Sequence, residues 1–132
     1  MKTDRFAALT IACAACCLSL PAEAVDRIHA GQWVGSWTGG GRTRATSNCM
    51  TQADADAMNG DARAIRGYLE ATIPPTVCKL SDIKANGGEV TYTAVCGGGK
   101  PNMITTTYHG ESLESTDSSG AKSEAKRVGP CK

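Results

Sequence analysis

Turn residues recur along most of this chain, about once every 8–12 residues, and separate short segments rich in β-branched, aromatic or alternating side chains. Turns this close together favour antiparallel strands, because parallel strands need crossover connections of a dozen residues or more. We therefore predict a mainly β fold: a single antiparallel sheet, strongly curved or barrel-like, with about seven short strands. The predicted strands are residues 31–38, 42–49, 77–84, 89–96, 102–109, 112–117 and 121–128.

One helical excursion interrupts the predicted sheet, between strands 2 and 3. Thr51 with Asp54 three residues later resembles a capping box, which marks the start of a helix. Asp61 is placed to cap a second helical piece over residues 62–71, whose apolar residues fall on one face at helical spacing. The Pro-Pro pair that follows ends this piece, because proline lacks the backbone donor that continues a helix.

The first 24 residues have the layout of a cleaved secretory signal peptide. Lys2 and Arg5 supply positive charge, residues 6–20 form an uncharged apolar run, and residues 22–24 give the Ala-x-Ala pattern of a cleavage site. We expect cleavage after Ala24, residence in the periplasm, no membrane span after processing, and a single domain over residues 25–132. The alternatives are an uncleaved anchor and a lipoprotein attached through a cysteine of the run, namely Cys13, Cys16 or Cys17.

Four cysteines follow that segment: Cys49, Cys78, Cys96 and Cys131. An even number in an oxidising compartment predicts two disulfides, and the absence of a Cys-x-x-Cys pair argues against a zinc site. Such crosslinks also suit a domain whose supply of large apolar residues is small. Three pairings are open on the count alone.

The turn signal Asn86-Gly87-Gly88 favours one of these pairings. A three-residue loop would pair Ala85 with Glu89 and set Cys78 directly opposite Cys96, close enough for a cross-strand bridge. A two-residue loop would shift the register by one and separate the two thiols. By elimination Cys49 would bond Cys131; the other pairing considered is Cys49–Cys78 with Cys96–Cys131.

Three aromatic residues are candidates for ligand binding: Trp33, Trp37 and Tyr108. Trp33, Gly35 and Trp37 alternate along the first strand and therefore share one face. They can form an aromatic platform for a ligand or simply fill the core, and the core is favoured because few other large residues are available to it.

Other patterns exclude several classes of function. The net charge is +1 with both signs interspersed, so no nucleic-acid or anionic-membrane partner is indicated. The acids around Asp54 lack the glycine and glutamate spacing of a calcium loop, and Gly97-Gly98-Gly99-Lys100 lacks the phosphate-loop motif. His29 and His109 carry no accompanying catalytic motif. We expect no enzyme activity, no metal and no cofactor.

An ordered set of short motifs remains: Gly31-x-Trp33, Cys49-Met50-Thr51, Gly88-x-Val90-x-Tyr92, Thr107-Tyr108-x-Gly110 and Lys126-Arg127-x-Gly129-x-Cys131. With the four cysteines in this order, the chain resembles domain of unknown function family 3617, a family of short exported bacterial proteins. The resemblance covers nearly all of residues 25–132 and implies residence in a Gram-negative periplasm. It implies no activity and no functional residues.

These observations predict a non-enzymatic periplasmic module that binds a small apolar or amphipathic ligand, since a curved sheet with aromatic and threonine side chains can hold one. The first alternative is an envelope protein-interaction domain, in which the polar strand of residues 42–48 presents its edge to a partner strand. The second alternative is an enzyme, which would need a pocket where His109 approaches another ionisable group.

Overall fold

The computed structural model describes residues 25–132, so the predicted signal peptide and its cleavage site lie outside the described residues. Seven strands form one antiparallel sheet in the order β2-β1-β7-β6-β5-β4-β3, and two helices lie between β2 and β3 in the chain. The elements are β1 Gly31–Gly39, β2 Arg42–Met50, α1 Gln52–Met58, α2 Ala62–Thr72, β3 Cys78–Asn86, β4 Glu89–Cys96, β5 Asn102–Tyr108, β6 Ser112–Asp117 and β7 Lys122–Gly129.

The sheet is open, and the prediction of a barrel-like or strongly curved sheet was wrong. β2 and β3 follow each other in the chain but stand at opposite edges of the sheet and do not pair. The helical connection between them crosses one face of the sheet, which we call the inner face, and helix side chains pack against that face. The number of strands and their antiparallel arrangement were predicted correctly. Closure was not, because it depends on the tilt and stagger of the strands.

The two helices begin where the capping residues predict. The Thr51 hydroxyl accepts a hydrogen bond from the Asp54 amide and the Asp54 carboxylate accepts one from the Thr51 amide, both at 3.2 Å. The Asp61 carboxylate accepts a bond from the Ala64 amide at 2.9 Å. Each helix then buries one apolar face against the sheet, through Ala55 and Met58 in α1 and through Ile65 and Leu69 in α2.

The core lies between these helices and the inner face of the sheet. Trp33 is its largest buried side chain, at 2% exposure, and its indole N–H donates to the His29 carbonyl at 3.0 Å. Burial of side chains of this kind stabilises each by about 1.5–3 kcal/mol. The other buried members are Ile28, Met50, Ala55, Met58, Ile65, Leu69 and Val90.

One disulfide lies at each edge of the sheet. Cys78 pairs with Cys96 between β3 and β4, with 4.0 Å between their Cα atoms. Cys49 of β2 pairs with Cys131, at 5.4 Å, and so ties the C-terminal residues to the other edge. This is the pairing that the hairpin argument favoured.

The hairpin itself is built differently from the prediction. Its loop has two residues, because Asn86 pairs with Glu89, and that register alone would separate the thiols. A β-bulge between Ser81 and Lys84 adds one residue to β3 and restores the register that sets Cys78 opposite Cys96. Asp82 in this bulge has a φ of 53°. The loop length was therefore wrong, and the bulge compensates for the difference.

Within residues 25–132, no helix has the length and apolar character that crossing a membrane requires.

Candidate functional site

The outer edge of β2 is a regular strand edge that pairs with no further strand in the described part of the chain, and the C-terminal residues are tied to its far end through the Cys49–Cys131 disulfide. Eight of its nine residues are exposed, and its pairing with β1 runs without a bulge from Gly39–Arg42 to Gly31–Met50. Gly40 and Gly41 form the connecting two-residue turn with φ values of 57° and 73°, as a type I′ turn requires. From Arg42 to Asn48, β2 therefore offers a regular template of seven residues.

The turn also decides which backbone groups of β2 are free. In a two-residue hairpin the residues flanking the turn form a hydrogen-bonded pair, and hydrogen-bonded and non-hydrogen-bonded pairs then alternate along the strands. Arg42, Arg44, Thr46 and Asn48 consequently bond to β1. The N–H and C=O groups of the alternate residues point away from the sheet, and these residues are Thr43, Ala45, Ser47 and Cys49.

The opposite edge, β3, is protected against the same kind of pairing. The bulge at Asp82 breaks its regular hydrogen-bond pattern, and Lys79 and Lys84 place charged side chains along it. The Arg66 guanidinium of α2 also donates to the Leu80 carbonyl of β3, at 3.4 Å. The bulge and the covering arginine therefore distinguish β3 from β2, whose pairing with β1 has no bulge.

The charges on β2 have one sign. Arg42 and Arg44 are its charged residues, they lie on the inner-face side opposite Gly39 and Trp37, and both are exposed. No carboxylate in residues 25–132 forms an ion pair with either of them. β1 carries no charged residue, so this edge of the sheet is locally basic.

The three aromatic residues proposed for ligand binding do not form one site. Trp33 is buried under the helices, and Tyr108 packs against the same core. Burial raises the pKa of the Tyr108 phenol well above its usual range, with smaller contributions from Tyr92 and Tyr68 nearby. Both side chains are therefore part of the packed core.

Trp37 is the exception, since 37% of it is exposed. It stands on the inner face beyond the helices and lines a shallow cleft of about 180 Å³ with Ile104 and Ala121. Gly39 makes this position possible, because a β-carbon there would lie 2.5 Å from the indole ring. The Asp117 carboxylate also lines the cleft; burial opposes its ionisation, but hydrogen bonds from Ser119, Asn102 and Ala121 hold its pKa low.

A larger groove, of about 600 Å³, lies on the outer face, opposite the helices. It is lined by both signs of charge and by serines, and its members include Ser36, Ser112, Glu124 and Lys126. Glu114 and Glu124 are directly opposite each other on β6 and β7, with Lys122 and Lys126 at the neighbouring outer positions of β7. Alternating charges of this kind are usual on a solvated sheet face.

His109 stands at this groove, 52% exposed, and its Nε2 lies 3.2 Å from Glu114 Oε1. An imidazole–carboxylate pair can move protons, so the arrangement meets one condition of the enzyme alternative. Among residues 25–132, however, no hydrogen bond joins His109 to a hydroxyl that it would activate. Nor does this part of the chain hold three or more His, Cys, Asp or Glu side chains placed to bind a metal ion.

His29 lies elsewhere, between two carboxylates. Its Nε2 is 2.8 Å from Asp26 Oδ2, and its Nδ1 bonds to Glu111 Oε1. Hydrogen bonds donated by the imidazole to the carboxylates of Asp26 and then Glu111 raise the pKa of His29, and the bond from His29 lowers the pKa of Glu111. Arg127 completes this network through Glu111 Oε2, so the network joins the segment before β1 to β7.

Arg27 is a key residue that the sequence analysis missed. Its side chain is 4% exposed and donates to three carbonyl oxygens: Gly87 at 2.6 Å, Met58 at 3.0 Å and Gly60 at 2.8 Å. It thus joins the end of α1 to the β3–β4 turn. A single arginine in the segment before β1 belongs to no helical or strand pattern that would have indicated this role.

Comparison with known proteins gives one match. The model of the family described as "Protein of unknown function (DUF3617)" matches residues 28–131. No curated protein and no solved structure matches the chain.

Proposed function

The chain belongs to the DUF3617 family of proteins of unknown function, and we propose that it is a non-enzymatic binding module of the periplasm that accepts an extended polypeptide as an added strand on β2. The difference between the two sheet edges carries this proposal. β3 has a bulge and a covering arginine, whereas β2 is regular and has free backbone groups on alternate positions from Thr43 to Ser47. Native proteins commonly blunt an exposed edge with a bulge or a covering element, and β2 pairs with β1 without a bulge.

The periplasmic part of the proposal draws on the predicted signal peptide and on the two disulfides, which suit an oxidising compartment. The non-enzymatic part draws on the cysteines and on His109. Bonding of Cys49, Cys78, Cys96 and Cys131 to one another removes their thiols as nucleophiles. About half of the His109 side chain is open to water, whereas acid–base catalysis generally takes place in a pocket shielded from water.

Strand addition can be tested with a proline at Ala45. The amide of Ala45 points outward, so Ala45→Pro removes a donor for an added strand without removing a bond to β1. Ala45→Thr keeps the amide and is the matched control. A photo-crosslinker at Ser47 should capture a polypeptide in intact cells in the wild type and in A45T, and capture should be lost in A45P.

The same crosslinker at Lys79 on β3 measures capture at the opposite edge, for comparison with capture from Ser47. Circular dichroism and retention of both disulfides establish that each variant is folded. Equal capture from Ser47 and Lys79, or capture that survives A45P in a folded protein, would contradict strand addition.

The Trp37 cleft supports a second candidate, the binding of a small amphipathic ligand. The observation that supports it is the partly exposed indole of Trp37 beside Ile104, with the hydrogen-bonded carboxylate of Asp117 at the same cleft. A compound that co-purifies with protein from the periplasm should be visible by native mass spectrometry and should be lost in Trp37→Leu. Met103→Leu is the control, since Met103 is exposed and outside the cleft. A wild-type protein that carries no compound, and whose melting temperature no compound of a screening library raises, excludes this candidate.

A further inference from the structure

The arrangement of arginines on β2 specifies the chemistry of an added strand. Resting on the proposed strand addition, we infer that the partner is an extended acidic segment with carboxylates at alternating positions, in the pattern acidic-x-acidic. Arg42 and Arg44 are two residues apart on one strand, so both project toward the same face of the sheet.

The spacing of these two charges sets the spacing of the carboxylates. Side chains two residues apart on a strand are separated by about 6.8 Å, and an added strand has the same repeat. An Asp or Glu at every second position therefore places one carboxylate beside each guanidinium. Arginine binds a carboxylate through two parallel hydrogen bonds, which makes the match specific as well as electrostatic.

The surroundings leave the two guanidinium groups available to such a partner. No carboxylate of residues 25–132 pairs with Arg42 or Arg44, and neither forms a side-chain hydrogen bond there. The outer-face positions between and beyond them, Thr43, Ala45 and Ser47, carry small side chains. The alternate residues of the partner are therefore expected to be small or hydroxyl-bearing, and the charge preference resides in one face of the added strand.

A second copy of this chain fits the edge less well. β2 contains two arginines and no acidic residue, so pairing it with its own copy would bring four like charges onto one seam. Charge complementarity favours a different chain, and pairing between copies becomes one outcome of the test.

Three short peptides test the inference directly. The first is acetyl-Ser-Thr-Glu-Thr-Glu-Thr-Ser-amide; the second has the same composition with the two glutamates adjacent, so that their carboxylates fall on opposite faces. The third has glutamine at both glutamate positions. Binding is followed by amide chemical shifts of β2 and by the fluorescence of Trp37, which lies directly opposite Arg44.

We expect the alternating peptide to bind about tenfold more tightly than either of the others, and the difference to shrink as salt is added. Arg42→Gln and Arg44→Gln should remove this preference. Lys79→Gln and Lys84→Gln, which neutralise charges on the opposite edge, should leave it unchanged.

The outcomes separate this inference from the proposed function. Equal binding of all three peptides that A45P abolishes would overturn the acidic preference and leave strand addition standing. No shift of β2 amides with any peptide at millimolar concentration would overturn both. A dimer in sedimentation equilibrium that A45P dissociates would assign the edge to a second copy and would overturn the acidic partner.

Discussion

The buried guanidinium of Arg27 donates a hydrogen bond to the carbonyl oxygen of Met58, 3.0 Å away, at the C-terminal end of α1. The last carbonyls of a helix have no partner within the helix, and this bond satisfies one of them. The positive charge also lies at the negative end of the helix dipole. A residue three positions into the described chain thereby holds the helical layer and the β3–β4 turn together.

Replacing Arg27 should therefore destabilise the whole domain. Arg27→Met keeps much of the side-chain volume but leaves the carbonyls of Gly87, Met58 and Gly60 without their donor. Loss of a buried partner costs about 1–3 kcal/mol for each group left unsatisfied. The bond to Met58 is buried and the other two are partly buried, so we expect a loss of about 3 kcal/mol in the free energy of unfolding, near the low end of the sum for three groups. Urea denaturation measures it. The control is Arg63→Met, because Arg63 is exposed on α2, and an equal loss in both variants would contradict this role for Arg27.

The network around His29 should give the stability of the protein a mildly acidic optimum. The pKa of His29 is raised from 6.5, so its contribution is complete below pH 6.5 and is lost as the pH rises through the raised value. The pKa of Glu111 is lowered from 4.5, so its contribution is complete above pH 4.5 and is lost as the pH falls through the lowered value. Both contributions are complete between these two pH values.

His29→Gln should flatten the alkaline side of this profile, because glutamine keeps a polar group near Asp26 and Glu111 but carries no proton to lose. The measurement is the free energy of unfolding in urea across pH 4 to 9, for the wild type and the variant. His109→Gln is the control, since His109 pairs with Glu114 alone. A profile that is unchanged in H29Q would show that the network does not set the optimum.

The two disulfides should differ in their effect on stability because they close loops of different length. The Cys49–Cys131 pair closes a loop with a sequence separation of 82, and the Cys78–Cys96 pair one of 18. In the chain-entropy model these loops correspond to about 4.5 and 3 kcal/mol of stabilisation. The double substitutions C49A/C131A and C78A/C96A, compared by urea denaturation, should rank in that order. The reverse ranking would show that native contacts around Cys78, rather than loop closure, dominate.

Two glycines make a matched pair with opposite expected effects. A β-carbon on Gly35 would overlap the carbonyl of Glu124 and the backbone of Ala125 on β7, whereas one on Gly67 of α2 meets nothing within 4 Å. Gly35→Ala must push β1 and β7 apart, and we expect a loss of about 2 kcal/mol or more. Gly67→Ala should gain about 0.5–1 kcal/mol from helix propensity. Thermal denaturation of the two variants checks both signs, and a stable G35A would mean that β1 and β7 can separate locally.

Local signals in the sequence were sufficient for most of the elements. Thr51 and Asp61 marked the starts of both helices, and the turn residues marked seven strands in the right order along the chain. The polar character of residues 42–48 correctly indicated an edge strand. These features were predictable because capping, turn geometry and alternation each depend on a few neighbouring residues.

The candidate site was predictable only in part. Trp33, Trp37 and Tyr108 looked alike as aromatic residues on strands, but helix packing covers Trp33 and Tyr108 and ends short of Trp37. The contrast between the edges was not foreseen, because the bulge at Asp82 has no strong sequence signal. Without that bulge the two-residue turn would have separated Cys78 from Cys96.

By itself the sequence determined the antiparallel strands, the two capped helices and the family to which the chain belongs, because these depend on local geometry and on the order of short motifs. The tertiary structure alone decided that the sheet stays open, that the buried Arg27 donates to three carbonyl oxygens, and that β2 is the edge without a bulge. Those outcomes depend on contacts between residues distant in the chain, and such contacts are fixed only when the helices pack across one face of the sheet.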